Sequence, residues 1–148
     1  MLEIKTASYD EIPVIEKFLK ENNFNIDQIE KYILNCMIAY DNKIPVAVAG
    51  FKQKKNVAII EFVIVTKNRR REYLGDGIVK ALLNVADKKG IEKVYVNTDK
   101  SNLFFKKIGF KEVKNYCEYI DDLNMLESNM ILQVTLPDYF FKACKSKK

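Results

Sequence analysis

Apolar residues along this chain follow two rhythms, and those rhythms divide it into strands and helices. Leu2 to Thr6 alternates apolar with polar positions and predicts a short strand. Ile12, Ile15, Phe18 and Leu19 then recur at helical spacing, which predicts a helix through about Glu21. Ser8 or Asp10 would cap it, and Pro13 is tolerable in its first turn. Asn22-Asn23 ends it, and residues 27–32 predict a second, short helix. Residues 34–40 and 44–52 read as strands around the hairpin signal Asp41-Asn42-Lys43, and Lys54-Lys55-Asn56 makes the next turn.

The most informative stretch begins at Val57. Val57 to Val65 is an apolar run rich in β-branched residues and broken only by Glu61, which predicts a buried strand. A basic loop follows, Lys67-Asn68-Arg69-Arg70-Arg71, and then Gly75-Asp76-Gly77. Ile78, Val79, Leu82, Leu83, Val85 and Ala86 share one stripe, which predicts an amphipathic helix over 78–89, ended by Gly90.

Beyond it, residues 91–97 alternate into a strand. Residues 102–108 predict a short helix, capped by Ser101 or Asp99 and stopped by Gly109. Residues 110–119 and 130–136 predict the last two strands, with a polar connection around Asp121-Asp122-Leu123-Asn124 between them. Pro137 stops the final strand, and Tyr139-Phe140-Phe141 offers an aromatic anchor. The element order β α α β β β α β α β β predicts an α/β (α+β) fold. Its sheet is mixed and mostly antiparallel, with helices on both faces. No linker or repeat divides residues 1–148, so a single domain is expected.

Composition narrows the function classes. Hydrophobic residues at 48% and charged residues at 30% are ordinary for a soluble globular protein. The sequence contains no histidine, which excludes Ser–His, Cys–His and His-ligated metal chemistry, and no metal site is expected. Cys36, Cys117 and Cys144 are odd in number and widely spaced, which argues against a disulfide framework and for a reducing cytoplasm. No signal peptide is visible, and no apolar run is long enough for a membrane partner. The net charge of +5 is compatible with a nucleic-acid partner, but equally with an anionic cofactor or with nothing specific. The aromatics fall at core-like spacing, so no base-stacking platform can be read and a nucleic-acid partner is disfavoured.

Strand, glycine-bearing basic turn and helix together can make an anion site. The first turn of a helix leaves backbone N–H groups unpaired and carries partial positive charge. Glycines there would let a phosphate approach the backbone. The same pattern also fits an ordinary strand–helix connection.

Element order and motifs together resemble the GNAT superfamily, the N-acetyltransferases related to Gcn5, over essentially the whole chain. Gly75-Asp76-Gly77-Ile78 with Ala81-Leu82-Leu83 resembles the family's glycine turn and helix, although Leu74 stands where the family has its arginine and Arg70 and Arg71 lie upstream. Phe104-Phe105-Lys106-Lys107-Ile108-Gly109-Phe110 resembles the family's F-Y-E-K-L-G-F signature, with Phe105 at the usual tyrosine position.

The resemblance implies acetyl-CoA as cosubstrate and an amine acceptor, with self-association into a homodimer left open. It implies pyrophosphate contacts at Arg70, Arg71, Gly75, Asp76, Gly77 and Ile78, and pantetheine contacts at the backbone of Val63 and Val65, with Asn102 and Phe105 near the cofactor. Glu61 would be the general base, its pKa raised by apolar neighbours, or else a structural partner for a lysine or for backbone groups. A phenyl ring at Phe105 cannot protonate a thiolate, so either another group supplies the proton, with Tyr116 and Cys117 as candidates, or water does, or the protein is a poor catalyst. The principal expectation is an acetyl-CoA-dependent N-acetyltransferase acting on a small molecule or a protein. An acyl-CoA-binding module with little turnover is the alternative that Phe105 favours.

Overall fold

The computed structural model describes residues 1–26, 28–69, 73–98, 102–113 and 130–140. Seven strands form one sheet whose hydrogen-bonded neighbours follow the order β1-β2-β3-β4-β5-β7-β6. They are β1 (Leu2–Thr6), β2 (Cys36–Asp41), β3 (Ile44–Lys54), β4 (Val57–Val65), β5 (Lys93–Thr98), β6 (Lys111–Glu112) and β7 (Met130–Thr135). Helices α1 (Ile12–Glu21), α2 (Leu74–Lys88) and α3 (Asn102–Ile108) accompany them among the described residues. β4 and β5 run parallel, whereas the β1–β2, β2–β3, β5–β7 and β6–β7 pairs are antiparallel. The expected mixed, mostly antiparallel sheet is what forms.

The chain divides into two compact units. The first holds Met1–Lys52 and Glu61–Val85. Its sheet faces follow from register, because directly paired residues share a face. Lys5, Ile38 and Val48 are paired in sequence across β1, β2 and β3. On that face Ile38 and Val48 meet Ile15, Phe18 and Leu19 of α1, together with Ile29, Ile33, Cys36 and Phe62. Each such large apolar side chain contributes about 1.5–3 kcal/mol by leaving water. Ile4, Ala39 and Ala47 are paired on the other face. There the side chain of Ile4 faces Gly77 of α2. The two helices therefore cover opposite faces.

A single 3-10 turn, Tyr9–Glu11, leads into α1. The Glu11 carboxylate accepts the Ser8 backbone N–H at 2.9 Å, and Glu11 N–H closes the turn on the Ser8 carbonyl at 2.9 Å. The hairpin between β2 and β3 turns on Asn42 and Lys43, with φ of 50° and 70°, as a two-residue turn requires.

The second unit holds Gln53–Ile60 and Ala86–Lys148. Val57, Ile59, Tyr95 and Ile131 form one of its buried clusters. α3 ends at Gly109, with φ of 125°, where Phe110 N–H returns to the Phe105 carbonyl at 3.0 Å.

Three expectations are corrected. Over the described part of the helix expected at 27–32 there is only a single 3-10 turn, Ile29–Lys31, and a second one, Ile33–Asn35, follows it. Gln28 enters the first in the left-handed region, and segments so short do not repay α-helix nucleation. α2 begins at Leu74, four residues before the expected start, because Tyr73 (φ 62°) makes the turn that the glycines were expected to make. Gly75 and Gly77 therefore lie inside the helix. Finally, β4 is not buried throughout: Glu61 is exposed and residues 63–65 are half-buried. The far part of the strand expected over 110–119 lies outside the described residues, as do the connection at 121–124 and Phe141.

Candidate active site

β4 passes from the second unit into the first. Its parallel register with β5 runs from Val57↔Lys93 to Ile60↔Val96, and Glu61 is the next residue. Alternation puts Glu61, Val63 and Val65 on one face of the strand, opposite Phe62. The exposed carboxylate of Glu61 does not have the apolar surroundings expected of it, because the strand turns that side chain to solvent.

The fold brings up a residue that sequence reasoning missed, Tyr32. Its ring stands edge-on to Phe62, with centroids 5.8 Å apart, and Phe24 meets Phe62 at 6.1 Å. Tyr32 is held in place at both ends of its backbone. Its N–H donates to the Ile29 carbonyl at 2.9 Å, and its carbonyl accepts Asn35 N–H at 2.7 Å. Burial pushes the Tyr32 phenol above its ordinary pKa, the charge of Glu61 pushes it further, and Lys52 pulls it down. A carboxylate and a phenol thus act on each other within the first unit. No local signal in the sequence marks Tyr32, since its partners come from β3 and β4.

At the start of α2, Gly77 N–H already donates to the Tyr73 carbonyl at 3.0 Å. Donors not used by the helix are thus those of its first three residues, Leu74, Gly75 and Asp76. Ile78 is fully buried. The Asp76 carboxylate pairs with Lys80 at 3.1 Å, one turn along. A Cβ on Gly77 would meet only Ile4 Cδ1, at 3.5 Å.

Arg70, Arg71, Tyr116 and Cys117 lie outside the described residues. Arg69 is within them: its guanidinium donates to Asp41 Oδ2 at 2.7 Å. That bond, followed by the one from the chain's first ammonium, holds the Asp41 carboxyl below the usual range.

In the second unit Asn102 opens α3, as expected. Phe105 is buried, packed edge-on against Phe104 at 5.0 Å and Phe110 at 5.2 Å. The Tyr139 hydroxyl caps this helix by donating to the Ile108 carbonyl at 2.9 Å.

Among the described residues no group of three His, Cys, Asp or Glu side chains could hold a metal ion. No described helix is long and apolar enough to cross a membrane. A groove of about 490 Å³ is lined by Met1, Glu3, Lys5, Glu11, Tyr40, Asn42 and Lys43. Among the described residues, none of those expected at the site lines it. It is bounded by the β1–β2 edge and an ionic network centred on Glu11.

The family model described as "Acetyltransferase (GNAT) family" matches residues 2–110. No curated protein matches the chain by sequence. Among solved structures, N-acetylglutamate synthase from Neisseria gonorrhoeae, complexed with coenzyme A and N-acetyl-glutamate, superposes with a TM-score of 0.76 at 17% identity. The match covers 92% of this chain but only 35% of the synthase. The ribosomal-protein-S18-alanine N-acetyltransferase from Escherichia coli gives 0.65 at 18% identity, covering 92% of this chain and 94% of that one. The PaiA N-acetyltransferase from Thermoplasma acidophilum, in complex with coenzyme A, gives 0.68 at 16%, covering 91% and 99%. At these identities the likeness is one of fold.

Proposed function

The chain belongs to the acetyltransferase (GNAT) family, and on that premise we propose that it is an acetyl-CoA-dependent N-acetyltransferase. Its acceptor is a primary amine of a small molecule or a protein. The observation that carries the reading is Glu61, an exposed carboxylate at the first position of β4 beyond the parallel register. Coenzyme A in the Neisseria and Thermoplasma structures supports the choice of cosubstrate. The buried free thiol of Cys36 supports a reducing compartment, and we place the protein in the cytoplasm.

In this reading the amides of Gly75 and Asp76, at the positive end of α2, take the pyrophosphate, with Arg70 and Arg71 adding charge-assisted bonds. The backbone of Val63 and Val65 takes the pantetheine arm. The amine nitrogen attacks the thioester carbonyl and gives its proton to Glu61, directly or through water. The C–S bond breaks, and the sulfur takes a proton from Tyr116.

One observation favours a second reading. Phe105, at the position where a tyrosine is usual, is a core residue with no hydroxyl, as in a module that binds acyl-CoA without turning it over. CoA release from acetyl-CoA, measured across a broad panel of amines, separates the two. Turnover with at least one amine supports the transferase. Tight acetyl-CoA binding with no turnover on any amine supports the binder. In either case converting both Arg70 and Arg71 to Ala weakens CoA binding by roughly 1.5–3 kcal/mol for each charged hydrogen bond lost. Unchanged affinity would remove both arginines from the site.

A further inference from the structure

We propose that Asp41 is a positioning residue for the start of α2, acting through its ion pair with Arg69 to set where the chain enters that helix. The inference rests on the reading of the α2 N-terminus as the phosphate site. The loop that leaves β4 is constrained from its first residue. Thr66 N–H donates to the Val46 carbonyl of β3 at 2.9 Å, and Arg69 N–H closes the turn Lys67–Arg69 on the Thr66 carbonyl at 2.9 Å. At the last residue of that turn the guanidinium reaches Asp41 Oδ2 at 2.7 Å, and the two side chains are only 27% and 24% exposed.

Asp41 is itself held firmly. It ends β2, in register with Leu2 on one side and Ile44 on the other. The two-residue turn of Asn42 and Lys43 follows directly. On the far side of the loop, Gly77 in the first turn of α2 faces Ile4 of β1, which pairs with Ala39 of β2. The same two strands therefore hold the chain at Arg69, through a charge pair, and again at Gly77, through packing.

The influence of the pair is geometric. An ion pair this close to solvent adds little to global stability. Anion binding by helix amides, in contrast, is confined to the first turn of the helix, so a small displacement of that turn weakens it. The pair also occupies Arg69, so its charge is committed to Asp41 rather than to an anion.

The test is calorimetric titration of the full chain with CoA, with melting temperatures recorded alongside. Wild type is compared with Asp41→Asn, Arg69→Gln and the double variant. Each single substitution is expected to raise Kd about three- to tenfold, and the double no further, because both remove one interaction. Asp41 also meets the Met1 ammonium at 3.3 Å. Arg69→Gln leaves that contact in place, so agreement between the two singles assigns the effect to the guanidinium. Asp41→Glu, which keeps the charge, is expected to bind CoA more tightly than Asp41→Asn. With an acceptor present, KM for acetyl-CoA rises while kcat holds.

Unchanged Kd in the folded single variants overturns the inference, even if their melting temperatures fall. Additive losses in the double variant also overturn it. So does tighter binding by Asp41→Asn, which would mean that the carboxylate withholds Arg69 from the anion. A wild-type chain that does not bind CoA removes the phosphate-site reading and this inference with it, and it is distinguishable from the other three outcomes.

Discussion

The ring of Phe62 lies across the α-carbon of Gly50: a Cβ on Gly50 would stand 2.6 Å from Phe62 Cζ and 2.7 Å from Cε1. Phe62 has little freedom to move away, since it is 3% exposed and is flanked by Phe24 and Tyr32. Space explains this glycine, not backbone freedom. The contact also fixes the strand at the residue after Glu61 and the ring against which Tyr32 leans.

Gly50→Ala is therefore expected to destabilise the protein by about 1–3 kcal/mol through overpacking. For a domain of this size that corresponds to a melting temperature lower by about 2–4 °C for each kcal/mol. A melting curve superimposable on wild type would mean that the ring moves aside freely.

Gly77 is expected to behave in the opposite way. Its Cβ would make only an ordinary contact with Ile4, and its amide is already bonded within the helix. Gly77→Ala removes the conformational entropy cost of glycine in a helix, so stability should rise by up to about 1 kcal/mol. CoA affinity should hold within about twofold, about 0.4 kcal/mol. Gly75→Val, at a position whose amide the helix does not use, is expected to weaken CoA binding instead. If Gly77→Ala loses affinity and Gly75→Val does not, the assignment of free donors at this helix start is wrong.

Glu61→Gln tests the base. The side chain is exposed, so the fold and CoA affinity should survive. Turnover should fall by about 10²–10⁴-fold if the carboxylate accepts the amine's proton. The same variant reports on Tyr32 without any turnover. Burial first and Glu61 second raise the Tyr32 phenol, so removing the carboxylate charge should let it ionise at lower pH. Tyrosinate absorbance with Tyr32→Phe subtracted would read the shift. Wild-type turnover on a verified amine would eliminate Glu61 as the base, and an unmoved Tyr32 titration would separate the two groups.

Glu11 and Tyr40 make stability depend on pH at both extremes. Burial raises the Glu11 carboxyl, but hydrogen bonds from Tyr40, the Ser8 backbone and Lys5, with the Lys5 charge, outweigh it and hold it below the ordinary range. Its contribution is present above the unfolded-state pKa near 4.5 and is lost as pH falls through the lower folded value. Tyr40 is pushed up to about 12 by burial, then by the hydrogen bond to Glu11 and the charges of Glu11 and Glu3. Its contribution is present below the unfolded-state value of 10.0 and is lost as pH rises towards 12. Tyr40→Phe should cost about 1.5–3 kcal/mol near neutrality, as for a hydrogen bond to a charged group. It should also flatten both slopes in the difference from wild type. Parallel urea midpoints for the two proteins across pH would show the network to be inert.

Local chemistry alone determined much of this protein. Strand β4 keeps its predicted ends because an apolar β-branched run between turn residues has few other conformations. The hairpin at Asn42 and Lys43 and the stop of α3 at Gly109 were equally local, since each depends on residues that tolerate positive φ. The phosphate-site reading came from residue types whose chemistry does not depend on distant partners. Tertiary contacts decided the rest. Whether a glycine serves an anion or a neighbouring strand depends on what faces it. Gly77 faces Ile4, 73 positions earlier in the chain. Arg69 looks like its neighbours in the basic run until Asp41 arrives from another strand, 28 positions away. Tyr32 gained its relation to Glu61 only when two short turns brought it against β4. Periodicity records which side of an element is apolar, but long-range pairing sets what that side meets, and no local pattern encodes it.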